Sequence, residues 1–208
     1  MKLVILGANG RTGSLVIRHA INKGAMVTAV VRSDAKRPQL RHERLSVVIG
    51  DPCDPAFLTG VFRGQDAVIS TLGGRMPTKH ATAIYPRSAE SIVHAAWETG
   101  LKRVVVTSTA LLFPSRWWGE ALLATLVRNV VTRARRMEQI FAASSLDVTV
   151  ARCGFLTDAD ETAYRALEGA LPMHGSSIAR NSLAIFLLDC AMSPQSGFQV
   201  MGASRPLS

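Results

Sequence analysis

The chain holds 208 residues, 48% of them apolar, which suits one domain with a substantial core and excludes intrinsic disorder. Lysine and arginine (24) outnumber aspartate and glutamate (15), a net charge of +9 that favours anionic partners, either nucleic acid or a phosphorylated cofactor. Cys53, Cys153 and Cys190 follow no disulfide or zinc pattern and point to a reducing cytoplasm, the longest apolar stretches fall short of a membrane span, and Met1-Lys2 leads into the first strand with no room for a signal peptide.

Leu3 to Gly7 is an apolar run without helical period, which reads as a strand buried on both faces. Glycines follow at Gly7, Gly10 and Gly13. A helix comes next, with Leu15, Val16, Ile17, Ala20 and Ile21 on one side and Arg18 and Asn22 on the other, ending at a left-handed Gly24. Strand, glycine turn and helix in this order suit a dinucleotide; the plain alternative is a tight strand–helix turn. Gly7 permits the sharp turn, Gly10 lets the backbone approach a pyrophosphate, and Gly13 lets the helix pack on the strand. The free N–H groups of the helix start then face the phosphates. Met26–Val31 is a second strand ending at Arg32. Arg32 lies about twenty residues past the turn, where this fold places its ribose-reading side chain. An acid there would bond the ribose hydroxyls of NAD, whereas a basic side chain suits the 2′-phosphate of NADP, with Arg11 and Arg37 as further cations. Ser33 to Arg44 is otherwise a solvated helix or loop.

Leu45–Ile49 reads as the third strand, ending at Gly50-Asp51. Asp54-Pro55 starts a helix, with Asp as N-cap and Pro at the first helical position, that runs to about Arg63 and closes at Gly64. Asp66–Thr71 is the fourth strand. Leu72-Gly73-Gly74 follows, either a second close backbone approach to ligand or a plain turn. Ala83 to Thr99 is helical, with Ile84, Ala89, Ile92, Val93, Ala96 and Trp97 as its buried side and Gly100 as its cap. Arg103–Thr109 is the fifth strand. Its hydroxyls at Thr107, Ser108 and Thr109 either face the cofactor crevice or cap the strand end. Leu111 to Trp118 is too aromatic for a solvated loop and reads as a lid over a flat substrate or a surface against a second subunit.

Glu120 to about Ser144 is a long helix, apolar at Leu122, Leu126, Val130, Met137 and Ile140, with a solvated arginine run at Arg128, Arg133, Arg135 and Arg136. Asp147–Arg152 is the sixth strand, followed by Cys153-Gly154-Phe155. Residues 159–181 carry few periodic signals. His174, in a glycine-flanked loop, reads as a surface residue or as one facing the site. Ser182–Met192 is a short apolar helix and Phe198–Met201 a last strand. Strands alternate with helices throughout, without repeat or linker. The expected fold is therefore α/β: a single Rossmann-like domain over residues 1–208, with a doubly wound parallel sheet flanked by helices on both faces.

On these residues the chain resembles the atypical short-chain dehydrogenase/reductases, specifically the NmrA-like group, and within it the family of biliverdin-IXβ and flavin reductases. Gly7-Ala-Asn-Gly-Arg-Thr-Gly13 matches the group's glycine motif, including the basic Arg11. Gly64 to Ile69 with Leu72-Gly73 is similar to the reductases' fourth strand, Val104 to Leu112 to their fifth, and Arg152 to Asp158 to the group's sixth-strand motif. The resemblance implies that the turn, with Gly7, Asn9, Gly10, Arg11, Thr12 and Gly13, holds the pyrophosphate of NADP, and that Arg32 and Ser33 hold its 2′-phosphate. Asp51 and Leu72-Gly73 then flank adenine and its ribose. Ser108 and Thr109 lie at the nicotinamide as catalytic residues, and Cys153, Gly154 and Phe155 back the ring. A small substrate-side region is expected from about 110–120 and 153–181.

The superfamily's Tyr-x-x-x-Lys proton donor is missing: neither Tyr85 nor Tyr164 has lysine four residues on. Gly154 stands where the reductases carry a histidine. The implied activity is NADPH-dependent hydride transfer to a flat acceptor such as flavin or a quinone, by a monomer or homodimer. The alternative is an NADP(H)-binding redox sensor or regulator of the NmrA-like type. Nucleic acid ranks last, because no aromatics interleave with the basic residues in a recognisable motif.

Overall fold

Leu3, Val4, Ile5 and Leu6 are each 0% exposed, so the first strand is enclosed on both faces. In the computed structural model, which describes residues 1–73, 77–114 and 125–207, this strand is the spine of the sheet. The elements are β1 (Lys2–Leu6), α1 (Arg11–Asn22), β2 (Met26–Val31), β3 (Leu45–Ile49), α2 (Pro55–Phe62), β4 (Ala67–Ser70), α3 (Lys79–Thr82), α4 (Ile84–Thr99), β5 (Arg103–Thr109), α5 (Arg128–Ala142), β6 (Asp147–Cys153), β7 (Phe155–Thr157), β8 (Arg165–Glu168), β9 (Ser177–Ala179), α6 (Arg180–Met192) and β10 (Phe198–Ser204). The main sheet has eight strands in the order β3-β2-β1-β4-β5-β6-β10-β8. All its pairings are parallel except that of β8 with β10. This is the single-domain, doubly wound Rossmann-like α/β fold.

Strand alternation sorts the core into two layers. Leu3 and Ile5 pack with Val16, Ile17, Leu183 and Leu187 under α1 and α6. Val4 and Leu6 pack with Leu58, Ile92 and Phe141 under α2, α4 and α5. The helix ends are set locally. Gly24, at φ +81°, closes α1: its N–H bonds Ile21 O while that of Ala25 reaches back to Ala20 O. The Asp54 carboxylate accepts from the N–H groups of Ala56 and Phe57 at the start of α2.

Four expectations need correction. Trp97 is 76% exposed; it sits about 100° around the helix from Ala96, off the face that runs through Ala89, Ile92 and Ala95. Leu126 is 72% exposed and precedes α5. Residues 159–181 contain β8 and β9, which at four and three residues are too short to show alternation. The last strand continues past Met201 to Ser204 because Ala203 pairs with Cys153 and Ser204 with Arg165. Gly74, Trp117, Trp118, Glu120 and Leu122 lie outside the described residues. Among the described residues no helix is long and apolar enough to cross a membrane.

Candidate functional site

The chain leaves β1 between neighbours that diverge in sequence, with Leu6 beside Val30 on one side and Ser70 on the other. That is the switch point of the sheet, where a crevice opens beyond the carboxyl ends of the strands. Gly7 turns there at φ +81°. Thr71 Oγ donates to Leu6 O at 3.1 Å and walls the turn from the β4 side. A Cβ at Gly13 would lie 2.3 Å from Gly7 O, so α1 crosses β1 too closely for any side chain. Gly10 is the extended N-cap of α1 and donates its N–H to Gly7 O at 2.9 Å. No side chain caps α1 and its first turn holds no acid, so the positive end of the helix keeps its charge for an anion. Asn9, Gly10 and Arg11 are exposed at this turn, while Thr12 and Gly13 are buried. The residues present therefore fit a dinucleotide pyrophosphate.

Arg11 bonds Asp158 at 2.8 Å, and the same carboxylate takes Arg180 at 2.6 Å. Arg37 is paired with Asp34. Both extra cations suggested for a 2′-phosphate thus already carry acidic partners. Arg32 has no ion pair of its own among the described residues. The Gly50 N–H bonds Val31 O at 2.9 Å and sets Arg32 and Asp51 side by side at the same edge, both exposed, with Ser33 following. Asp51 accepts the Cys53 N–H at 2.9 Å. Burial and the Asp51 charge raise the Cys53 thiol pKa, while Arg87 and Arg32 act against them. Arg87 therefore belongs to this corner, a residue that sequence reasoning missed. The available signal was its place in the first turn of α4, whose N-terminus sits at the carboxyl edge of the sheet. Leu72 and Gly73 leave β4 towards the crevice, and a Cβ at Gly73 would meet the Tyr85 hydroxyl at 3.4 Å.

Ser108 and Thr109 point to opposite faces of β5. Ser108 is 8% exposed and donates to Glu138 Oε1 on α5 at 2.6 Å. Glu138 also holds Arg152 through bonds of 2.6 and 3.1 Å, and the Arg152 guanidinium lies 4.7 Å from the centre of the Phe113 ring. Ser108 is therefore a buried network residue and does not line the cavity that Thr109 borders. Thr109 faces the other way and lines a cavity of about 510 Å³, within the size range of small-molecule sites. Its Oγ accepts the Leu111 N–H at 3.3 Å, which leaves its own hydrogen free to donate.

The cavity walls are apolar: Leu111, Phe113, Val127, Val130, Phe155 and Leu171 supply most of them. The far wall is main chain. A Cβ at Gly154 would lie 2.1 Å from Ser176 O, which is why no side chain occupies that position. Complete burial pushes the Cys153 thiol up to about 12, so it stays protonated. His174, at φ +58°, is an exposed turn residue and does not line the cavity. Tyr164 bonds Asp189 at 2.9 Å on the α6 side and does not line it either.

The chain is 25% identical to an uncharacterized chloroplastic protein of Arabidopsis thaliana, over 99% of this chain and 70% of that one. Its fold superposes on the oxidoreductase ylbE from Lactococcus lactis with TM-score 0.84 at 18% identity, covering 100% of this chain and 92% of that one. A short-chain dehydrogenase/reductase from Veillonella parvula, solved in complex with NADP, gives TM-score 0.76 at 22% identity over 99% and 94% of the two chains. Residues 7–194 match the NAD(P)H-binding family, a span that opens on the first glycine of the turn and takes in every strand from β2 to β9, and the chain belongs to that family.

Proposed function

We propose that the protein is an NADPH-dependent reductase that delivers hydride to a flat acceptor such as a flavin or a quinone. The observation that carries this reading is the apolar cavity beyond β5 and β6, at the same sheet edge as the uncapped glycine turn of α1. Reduced nicotinamide, when bound, supplies the hydride; the chain's own residues bind, orient and exclude water. Gly7, Gly10 and Gly13 admit the pyrophosphate to the helix end, with Asn9 and Thr12 beside it. Arg32 and Ser33 receive the 2′-phosphate, and Asp51, Leu72 and Gly73 flank the adenosine. Thr109 orients the acceptor at the nicotinamide, and Cys153, Gly154 and Phe155 back the nicotinamide ring. Ser108 holds β5 to α5 through Glu138. The motifs resembling flavin and biliverdin-IXβ reductases support the same reading. Three free cysteines suit a reducing compartment such as the cytoplasm.

A second reading, an NADP(H)-binding sensor, is favoured by one observation: the only titratable side chain among the described cavity residues is the protonated Cys153. A panel assay separates the two. NADPH is mixed with the protein and each of flavin mononucleotide, simple quinones and biliverdin, and its oxidation is followed at 340 nm, an absorbance of the reagent. Turnover with any acceptor supports the reductase. Tight NADPH binding without oxidation across the panel supports the sensor.

A further inference from the structure

The cavity has a chemical character that narrows its occupant. No described lining residue carries a charge, and the only polar side chains on the wall are those of Thr109, Cys153 and Ser176. The guanidinium behind Phe113 belongs to Arg152, which Glu138 already neutralises through two hydrogen bonds. An anionic substituent seated here would be desolvated with no unpaired cation among the described lining residues to meet it. We infer that the acceptor is an uncharged, apolar ring carbonyl compound, a quinone without acidic substituents, and that phosphorylated flavins and carboxylated tetrapyrroles are poor fits. The choice of substrate class rests on the reductase reading for its chemistry; the fit to the cavity does not.

A quinone also suits a cavity whose described lining residues include no carboxylic acid, histidine or tyrosine. The acceptor gains a hydride and then one proton from water, its two carbonyls become two hydroxyls, and the nicotinamide is left oxidised. The charge that develops is a resonance-stabilised phenolate, so no poised proton donor is required as it forms. The free hydrogen of Thr109, set by the Leu111 N–H on its oxygen, donates to one carbonyl. Cys153 is a protonated thiol and does not add to the ring.

The test is calorimetric binding to the full chain saturated with NADP⁺. The probes are duroquinone, which is fully substituted and inert to thiols, and the matched pair riboflavin and flavin mononucleotide, which differ by one phosphate. Duroquinone and riboflavin should each bind at least tenfold more tightly than flavin mononucleotide. Equal or tighter binding of the phosphorylated flavin overturns the inference. Thr109→Val should weaken duroquinone five- to tenfold; unchanged affinity removes the hydrogen bond. Leu171→Lys, with folding checked by circular dichroism, should shrink the riboflavin preference over flavin mononucleotide; a preserved ratio argues against charge as its cause. Should either variant misfold, the wild-type ratios still decide. Duroquinone binding without NADPH oxidation would sink the reductase reading while leaving the cavity assignment standing.

Discussion

Three glycines in one turn do different work, and substitution should separate them. Gly13→Ala sets a methyl 2.3 Å from Gly7 O and forces α1 off β1. It should lower stability by roughly 1–3 kcal/mol, as overpacking does. Gly10 is extended, and among the described residues a Cβ there would meet only Gly7 O, at 3.1 Å. Gly10→Val should therefore stay folded by circular dichroism yet lose NADPH affinity, and retained affinity would remove the pyrophosphate from this turn. Arg32 is expected to set cofactor preference. A guanidinium grips phosphate through paired charged hydrogen bonds worth roughly 1.5–3 kcal/mol, on the order of ten- to a hundredfold in affinity. Titrating NADPH and NADH against wild type and Arg32→Ala tests this. Equal binding by the wild type, or an equal loss for both cofactors, would rule it out. Arg87 at the same corner should soften the loss, so the double variant with Arg87→Ala should weaken NADPH further. High salt should weaken NADPH more than NADH.

At the scale of elements, the join between β5, β6 and α5 rests on Glu138. Its side chain is 7% exposed and pairs with Arg152 at 2.6 Å while accepting the Ser108 hydroxyl. Removing one partner of such a pair strands the other charge, so Glu138→Gln should cost about 3 kcal/mol in urea unfolding. Glu138→Gln combined with Arg152→Met should cost less than the sum of the single changes. Legibility also divides by element. β1, β2 and β5 were plain in the sequence because strands largely buried on both faces are rich in apolar residues; β3, an edge strand with no buried residue, showed through its β-branched run. β8 and β9 were not, because their partners lie far along the chain and their length hides any period. The glycine turn was legible from its spacing together with its place between an apolar strand and an amphipathic helix. The opposed directions of Ser108 and Thr109 follow from strand alternation, but which face holds the cavity depends on where α5 packs. Glu138, inside a basic helix, carried no signal in the sequence; its burial against Arg152 reveals it.

Across the whole molecule, the end of the sheet opposite the site is fastened by a cation that donates to carbonyl and hydroxyl oxygens. Arg103 is 8% exposed and donates to Cys190 O at 2.5 Å, Thr149 Oγ at 2.8 Å and Asp147 O at 3.2 Å, tying the start of β5 to β6 and the last turn of α6. Arg103→Met should destabilise by roughly 2–4 kcal/mol and leave NADPH affinity intact, since the cofactor edge lies at the other end of the strands. Burial also holds the Cys153 and Cys190 thiols at about 12 against an ordinary value of 9.0. The folded pKa is raised, so this contribution is complete below pH 9 and is lost as pH rises from 9 to 12. Each thiol adds a fall of up to about 1.4 kcal/mol per pH unit in that window. Urea midpoints should therefore decline above pH 9, less steeply in Cys153→Ala. An identical decline in that variant would exclude Cys153 as a source.

The main-chain wall of the cavity has an evolutionary consequence. Gly154 abuts Ser176 O, and Gly202 is pressed against Ala170 O, where a Cβ would come within 2.1 Å. Mutation there cannot trim or enlarge the space without breaking the packing of the strands behind it. New acceptor preferences are accessible from the side-chain walls, through Leu111, Phe113, Val127, Val130 and Leu171. A selection library confined to those five positions should yield altered specificity, whereas side chains placed at Gly154 or Gly202 should be lost to misfolding, as circular dichroism would show.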